Sequence, residues 1–145
     1  MSAHVLQSFP LFGGMEEWEL DAVAKLSARE EYAAGACITE EGRLASTLFV
    51  LEQGEVAISM QGDEGTLPKV FYVVQGGVFG YSSLLPPYTY DHTARAVTPV
   101  HLLAIDAEGL RALLEQEPRL AVTLQRNVIH LLHRSIVEHR LEAWI

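Results

Sequence analysis

Glycines divide the middle of the chain into short apolar runs, and this spacing constrains the fold more than any other feature. Gly35, Gly42, Gly54, Gly62, Gly65 and Gly76 mark the breaks. Runs this short, rich in β-branched and aromatic residues and separated by turn signals every ~8–12 residues, point to an antiparallel β-barrel or sandwich. Thr47–Glu52 and Val56–Met60 flank Gln53-Gly54, which reads as a tight hairpin. Gly62-Asp63-Glu64-Gly65 closes the next one, and the strongest strand signal is 69–74, Lys-Val-Phe-Tyr-Val-Val. Val100–Ile105 adds a further strand.

The flanks carry the other period. Leu20, Val23, Ala24 and Leu26 repeat at near-helical spacing behind Glu16, Glu17 and Glu19, so a helix is expected over 15–28, its apolar face on a sheet. After the strands, Asp106 stands where it can N-cap a helix to about Glu115, and Pro118 opens a longer one. On that last helix Leu120, Leu124, Val128 and Leu131 form one stripe, and Ile129, Leu132 and Ile136 a second beside it. One stripe suffices to dock on a barrel. The doubled width predicts a homodimer, with Leu124, Val128, Leu131 and Ile136 at the interface.

The expected fold is therefore mainly β with flanking helices. An antiparallel β-roll or jelly-roll-like barrel of about eight strands fills 30–105, with one N-terminal helix and two C-terminal helices in 107–140. The 145 residues suit a single domain over 1–145.

Ten Lys plus Arg against nineteen Asp plus Glu give a net charge of −9, which opposes contact with nucleic acid or an anionic membrane surface. A lone cysteine, Cys37, allows no intrachain disulfide and is expected to serve as a small buried hydrophobe. The start lacks the pattern of a signal peptide and no apolar run is long enough to span a bilayer, so the expected location is cytoplasmic. The sequence carries no nucleophile elbow, Walker loop or zincin motif, and adjacent acids such as Glu40-Glu41 read as solvated; the expectation is not an enzyme.

Chemistry concentrates between Gly76 and Val97. Gly76, Gly77 and Gly80 permit a turn, after which Ser82-Ser83-Leu84-Leu85 can coil with N–H groups facing one point, an arrangement that favours an anion. Taken with Glu41-Gly42 and the strands around Gly54, this stretch resembles the cyclic-nucleotide-binding domain family. That family supplies the sensor module of catabolite-activator-type regulators, protein kinase A regulatory subunits and nucleotide-gated channels. The resemblance runs from about Phe9 to Arg140.

The family cassette reads Gly-Glu-x-Ala/Ser-Leu, a variable loop, then Arg-Thr/Ser-Ala. Its glutamate holds the ribose 2′-hydroxyl and its arginine the cyclic phosphate. Gly80, Ser83, Leu84, Thr93 and Ala94 keep the frame, but Tyr81 stands in the glutamate position and His92 in the arginine position. Arg95 competes for the latter only if the loop is read differently. Exchanging a bidentate guanidinium for an imidazole forfeits about 1.5–3 kcal/mol, or about tenfold to over a hundredfold in affinity.

The resemblance implies a site at Phe79, Gly80, Tyr81, Ser82, Ser83, His92 and Thr93 for a small anion, with cyclic AMP or cyclic GMP bound weakly. Tyr81, Tyr88 and Tyr90 are either a more apolar pocket lining or half-packed rings with hydroxyls in water. Two further readings stay open: a vestigial pocket in a dimerising interaction module, and a haem or other non-nucleotide sensor, to which His92, His101, His130 and His133 are candidate contributors. In transcription regulators of this family a helix-turn-helix domain follows the long helix. No such output domain is expected here, and a separate effector protein is a candidate partner.

Overall fold

A computed structural model describes residues 1–61 and 69–139. Among the described residues there are eight strands: β1 (Ser27–Tyr32), β2 (Cys37–Thr39), β3 (Thr47–Gln53), β4 (Val56–Met60), β5 (Lys69–Val73), β6 (Val78–Phe79), β7 (Thr93–Ala96) and β8 (Val100–Asp106). They form two antiparallel four-stranded sheets, β1-β8-β3-β6 and β2-β7-β4-β5, laid face to face as an unclosed β-roll.

The helices are α1 (Ala3–Leu6), α2 (Glu17–Ala24), α3 (Ala107–Gln116) and α4 (Pro118–His139), with 3-10 turns at Pro10–Phe12 and Tyr81–Leu84. The short α1, capped by the Ser2 side chain, and the Pro10–Phe12 turn were not expected.

The two longest apolar strands are buried on both faces, which is why they read as continuous apolar runs rather than alternating ones. Leu48 and Val50 of β3, with Leu103 and Ile105 of β8, face a core shared with Leu20, Val23, Leu110, Leu120 and Leu124 of the helices. Phe49, Leu51, Leu102 and Ala104 face the opposite way, into a second core with Val56, Ile58, Ala94 and Ala96 of the other sheet.

Three expectations are corrected. Gln53-Gly54 is not a hairpin: β3 pairs with β6 and β8 while β4 pairs with β5 and β7, so the turn crosses from one sheet to the other. Gly54 has φ 103°, and a Cβ there would lie 2.6 Å from the Pro99 carbonyl oxygen. The first long helix ends at Ala24 rather than 28, because the Ser27 hydroxyl closes onto the Val23 carbonyl at 2.8 Å and Ser27 opens β1 against Ile105. Cys37 is exposed: it lies on an edge strand, where Ile38 rather than Cys37 packs against the inter-sheet core. The 62–65 turn lies outside the described residues, although β4 and β5 pair as that hairpin requires, Met60 opposite Lys69.

Asp106 caps α3 as its position predicts, accepting from the Gly109 N–H at 2.9 Å. Asn127 fixes α4 to the N-terminal turn, donating to the carbonyls of Leu11 at 2.8 Å and Gly13 at 2.9 Å.

Candidate functional site

The cassette begins where β6 ends. Gly80 takes the left-handed conformation, φ 86°, and a Cβ on it would lie 2.9 Å from the Thr47 carbonyl oxygen. Only glycine turns the chain this close to β3. The 3-10 turn that follows uses the Ser83 N–H internally, donated to the Gly80 carbonyl at 3.0 Å, so that group does not join an anion cradle in this conformation.

On the returning strand the inward positions are His92, Ala94 and Ala96, and Arg95 points to solvent. His92 Nδ1 lies 2.7 Å from Asp91 Oδ1. Its other ring nitrogen, Nε2, is buried without a partner, as are the hydroxyls of Ser82 and Ser83. A buried polar group left unpaired costs about 1–3 kcal/mol; of these three residues, Ser82 and His92 line a common cavity and Ser83 does not.

That cavity, of about 380 Å³, opens between β5, the cassette and α4. Tyr81, Ser82, Asp91 and His92 line it from the roll; Leu131, Leu132, Arg134, Ser135 and Glu138 line it from the helix. Phe71, Val73, Val78 and Leu85 supply apolar wall. Burial pushes the Tyr81 phenol well above its ordinary range, so it stays a neutral hydrogen-bond donor.

Not every expected site residue reaches this cavity. Phe79 instead stacks on Phe49 in the inter-sheet core, ring centroids 5.0 Å apart. Gly80 and Ser83 shape the turn, and the Thr93 hydroxyl accepts from the Glu41 N–H at 3.1 Å. The tyrosines separate: Tyr90 is buried, its hydroxyl donating to the Thr47 carbonyl at 2.8 Å, and Tyr88 lies under the Arg111 guanidinium at 4.0 Å. Tyr81 alone of the trio lines the cavity.

The other histidines are dispersed. His130 and His133 are exposed on α4, and His101 Nδ1 lies 3.3 Å from Glu31. Among the described residues no group of three or more His, Cys, Asp or Glu side chains is placed to hold a metal ion, and no helix is long and apolar enough to cross a membrane.

On α4, Leu124 points into its own chain's core and is 1% exposed, so it is closed to a partner. Val128 and Leu131 pack at the edge of that core and Ile136 is half-buried. The outward stripe consists of Val122, Ile129, Leu132 and Val137.

The two-sheet roll, the cassette turn and the cavity against the long helix define a cyclic-nucleotide-binding regulatory domain. The chain belongs to the cyclic nucleotide-binding domain family, whose profile matches residues 29–117. It is similar to the cyclic AMP receptor protein of Thermus thermophilus, 31% identical over 140 residues, covering 94% of this chain and 62% of the relative. The chain thus spans about three-fifths of that relative's length.

Two crystal structures share the fold. One, from Geobacter metallireducens GS-15, carries the name cyclic nucleotide-binding protein; it is 29% identical with a TM-score of 0.82, over 92% of this chain and 97% of that one. The other is the sensor domain of the transcriptional regulator DNR from Pseudomonas aeruginosa, 25% identical with a TM-score of 0.73, over 93% and 91%.

Proposed function

We propose that this domain is a sensor that binds a small anionic ligand at the cassette, takes cyclic AMP or cyclic GMP only weakly, and passes occupancy to α4. The observation that carries this reading is His92: it holds the family's arginine position, is buried with an unpaired Nε2, and lines one cavity with Ser82, whose hydroxyl is also unpaired. A cyclic nucleotide needs a ribose acceptor and a permanent cation; Tyr81 and His92 offer a neutral phenol and an imidazole in their place. The frame accepts an anion while the two side-chain anchors do not favour a ribose phosphate.

α4 is the output element because its inner face lines the cavity and its outer face is apolar and exposed, which supports a homodimer along it. The net charge of −9 supports a separate protein effector rather than nucleic acid, in the cytoplasm. Catalysis has no part in the reading.

The test is titration with sulfate, whose charge is constant over the range used, at pH 5.5 and pH 8. An imidazole beside an anion is stabilised only when protonated, so binding should be tighter at pH 5.5. Asp91, Arg134 and Glu138 are the other charged groups on the cavity. His92→Ala should abolish the difference. Equal affinity at both pH values would remove His92 from the site.

The second reading, a dimerising module with a vestigial pocket, draws on the outward stripe of α4, which needs no ligand. Dimers with no response to any anion would favour it.

A further inference from the structure

Arg134, Glu138, Leu131 and Ser135 share one face of α4, spaced three, four and seven residues apart, and all four line the cavity that the cassette opens into. Arg134 is the one arginine on that lining. Its ion-pair partner is on the same helix rather than on the roll: Nη2 lies 3.1 Å from Oε1 of Glu138, one turn along, and both side chains are more than half exposed. An i,i+4 pair of that kind contributes little and exchanges readily for a better anion. The opposite wall presents the Tyr81 phenol, Ser82 and His92, and the flanks are hydrocarbon from Phe71, Leu85 and Leu131.

We propose that the ligand is a small amphipathic anion, an aryl or alkyl phosphate or carboxylate, whose acidic group is held between Arg134 on α4 and the His92–Ser82 end of the cassette, displacing Glu138. This rests on the sensor reading above and adds to it the ligand class and the source of the missing guanidinium. The permanent cation absent from β7 is supplied by the helix that transmits the signal. Glu138 acts as a tethered competitor: in the empty site its carboxylate occupies the arginine. An anion that enters draws Arg134 toward the roll, so occupancy changes the position of α4.

The cavity sets a size limit. At about 380 Å³ it suits a single ring or a short chain with its acidic group. The apolar walls favour a hydrocarbon body, and Asp91 together with Glu138 disfavours a second negative centre at the mouth.

The experiment is calorimetric titration of the full chain with phenyl phosphate, benzoate and the neutral benzyl alcohol, using wild type, Arg134→Gln, Arg134→Lys, Glu138→Gln and His92→Gln. The aromatic anions should bind at least tenfold more tightly than benzyl alcohol. Arg134→Gln should weaken the anions tenfold or more and leave benzyl alcohol unchanged, with Arg134→Lys in between. Glu138→Gln should tighten the anions severalfold, a gain that a merely structural role for the pair would not produce.

Melting temperatures within a few degrees of wild type show that the fold is kept, as expected of the Arg134 and Glu138 variants at exposed positions on α4. If His92→Gln weakens the anions but Arg134→Gln does not, the sensor reading stands and the role of Arg134 is overturned. If Glu138→Gln weakens them, the competitor role is overturned. Binding by none of the anions contradicts both this proposal and the sensor reading.

Discussion

Arg111 of α3 donates through Nη1 to the carbonyl oxygen of Ser83 at 2.6 Å, joining the helical layer to the cassette turn. The same guanidinium lies over the Tyr88 ring, 4.0 Å from its centroid, so one side chain ties the cassette turn to the middle of the variable loop that follows it.

Arg111→Ala should therefore loosen the cassette without touching the cavity wall. A charge-assisted bond to a carbonyl contributes about 1.5–3 kcal/mol and an exposed cation–π contact about 0.5–1 kcal/mol. The melting temperature should fall by several degrees, and amide exchange in 81–88 should accelerate. An unchanged melting temperature and exchange pattern would mean that the cassette is held by its own turn and by the β3 contact of Gly80.

For α4, the buried and outward stripes give opposite outcomes. Ile129 is 67% exposed and Leu132 41%, so Ile129→Asp with Leu132→Asp should yield folded monomers at micromolar concentration by light scattering. Leu124→Asp should instead unfold the protein, because it places a carboxylate in a core position that is 1% exposed. A wild type that is already monomeric would remove the dimer from the account.

The N-terminus of α2 carries a pH-sensitive contact. The Trp18 indole, donating at 2.8 Å, and the nearby Arg119 guanidinium, 2.7 Å away, hold the exposed Glu16 carboxyl below its usual range. A carboxyl whose folded value is depressed contributes stability that is present above its ordinary value and lost as pH falls through the folded one. Arg119→Gln should raise the Glu16 midpoint toward the usual carboxylate range in an NMR titration and reduce the loss of melting temperature on acidification. A midpoint unchanged in the variant would assign the effect to Trp18 alone.

What could be read from the sequence follows from how strongly each segment is constrained. Val56–Met60 and Val100–Ile105 were legible because strands buried in a core tolerate only apolar, β-branched residues at alternating or continuous positions. Asp106 and Pro118 were legible because caps use few residue types. The Gln53-Gly54 turn was misread since a glycine at positive φ serves a hairpin and a sheet crossing alike; only the pairing of β3 with β8 tells them apart. β1, Ser-Ala-Arg-Glu-Glu-Tyr, is an edge strand with a mostly solvated face, so its composition gave no strand signal and the preceding helix period ran on into it.

At the site, His92 was legible through the family's Arg-Thr/Ser-Ala exit alone; that it is buried in alternation with Ala94 and Ala96 is what the structure adds. Arg134 and Glu138 escaped because their spacing from Leu131 marks one helix face but does not say which part of the roll that face meets. Arg111 carried no local signal either, since its partner Ser83 is 28 residues away.

The central claim is that Tyr81 and His92 replace the two anchors of a cyclic nucleotide in a cassette whose frame is kept. Calorimetric titration of cyclic AMP at pH 7.5 into wild type and into the Tyr81→Glu, His92→Arg double variant tests it most directly. The account predicts wild-type binding weaker than the low micromolar range and a gain of about tenfold to a hundredfold in the double variant, since a ribose acceptor and a bidentate cation are restored. Wild-type affinity in the low micromolar range or tighter would contradict it.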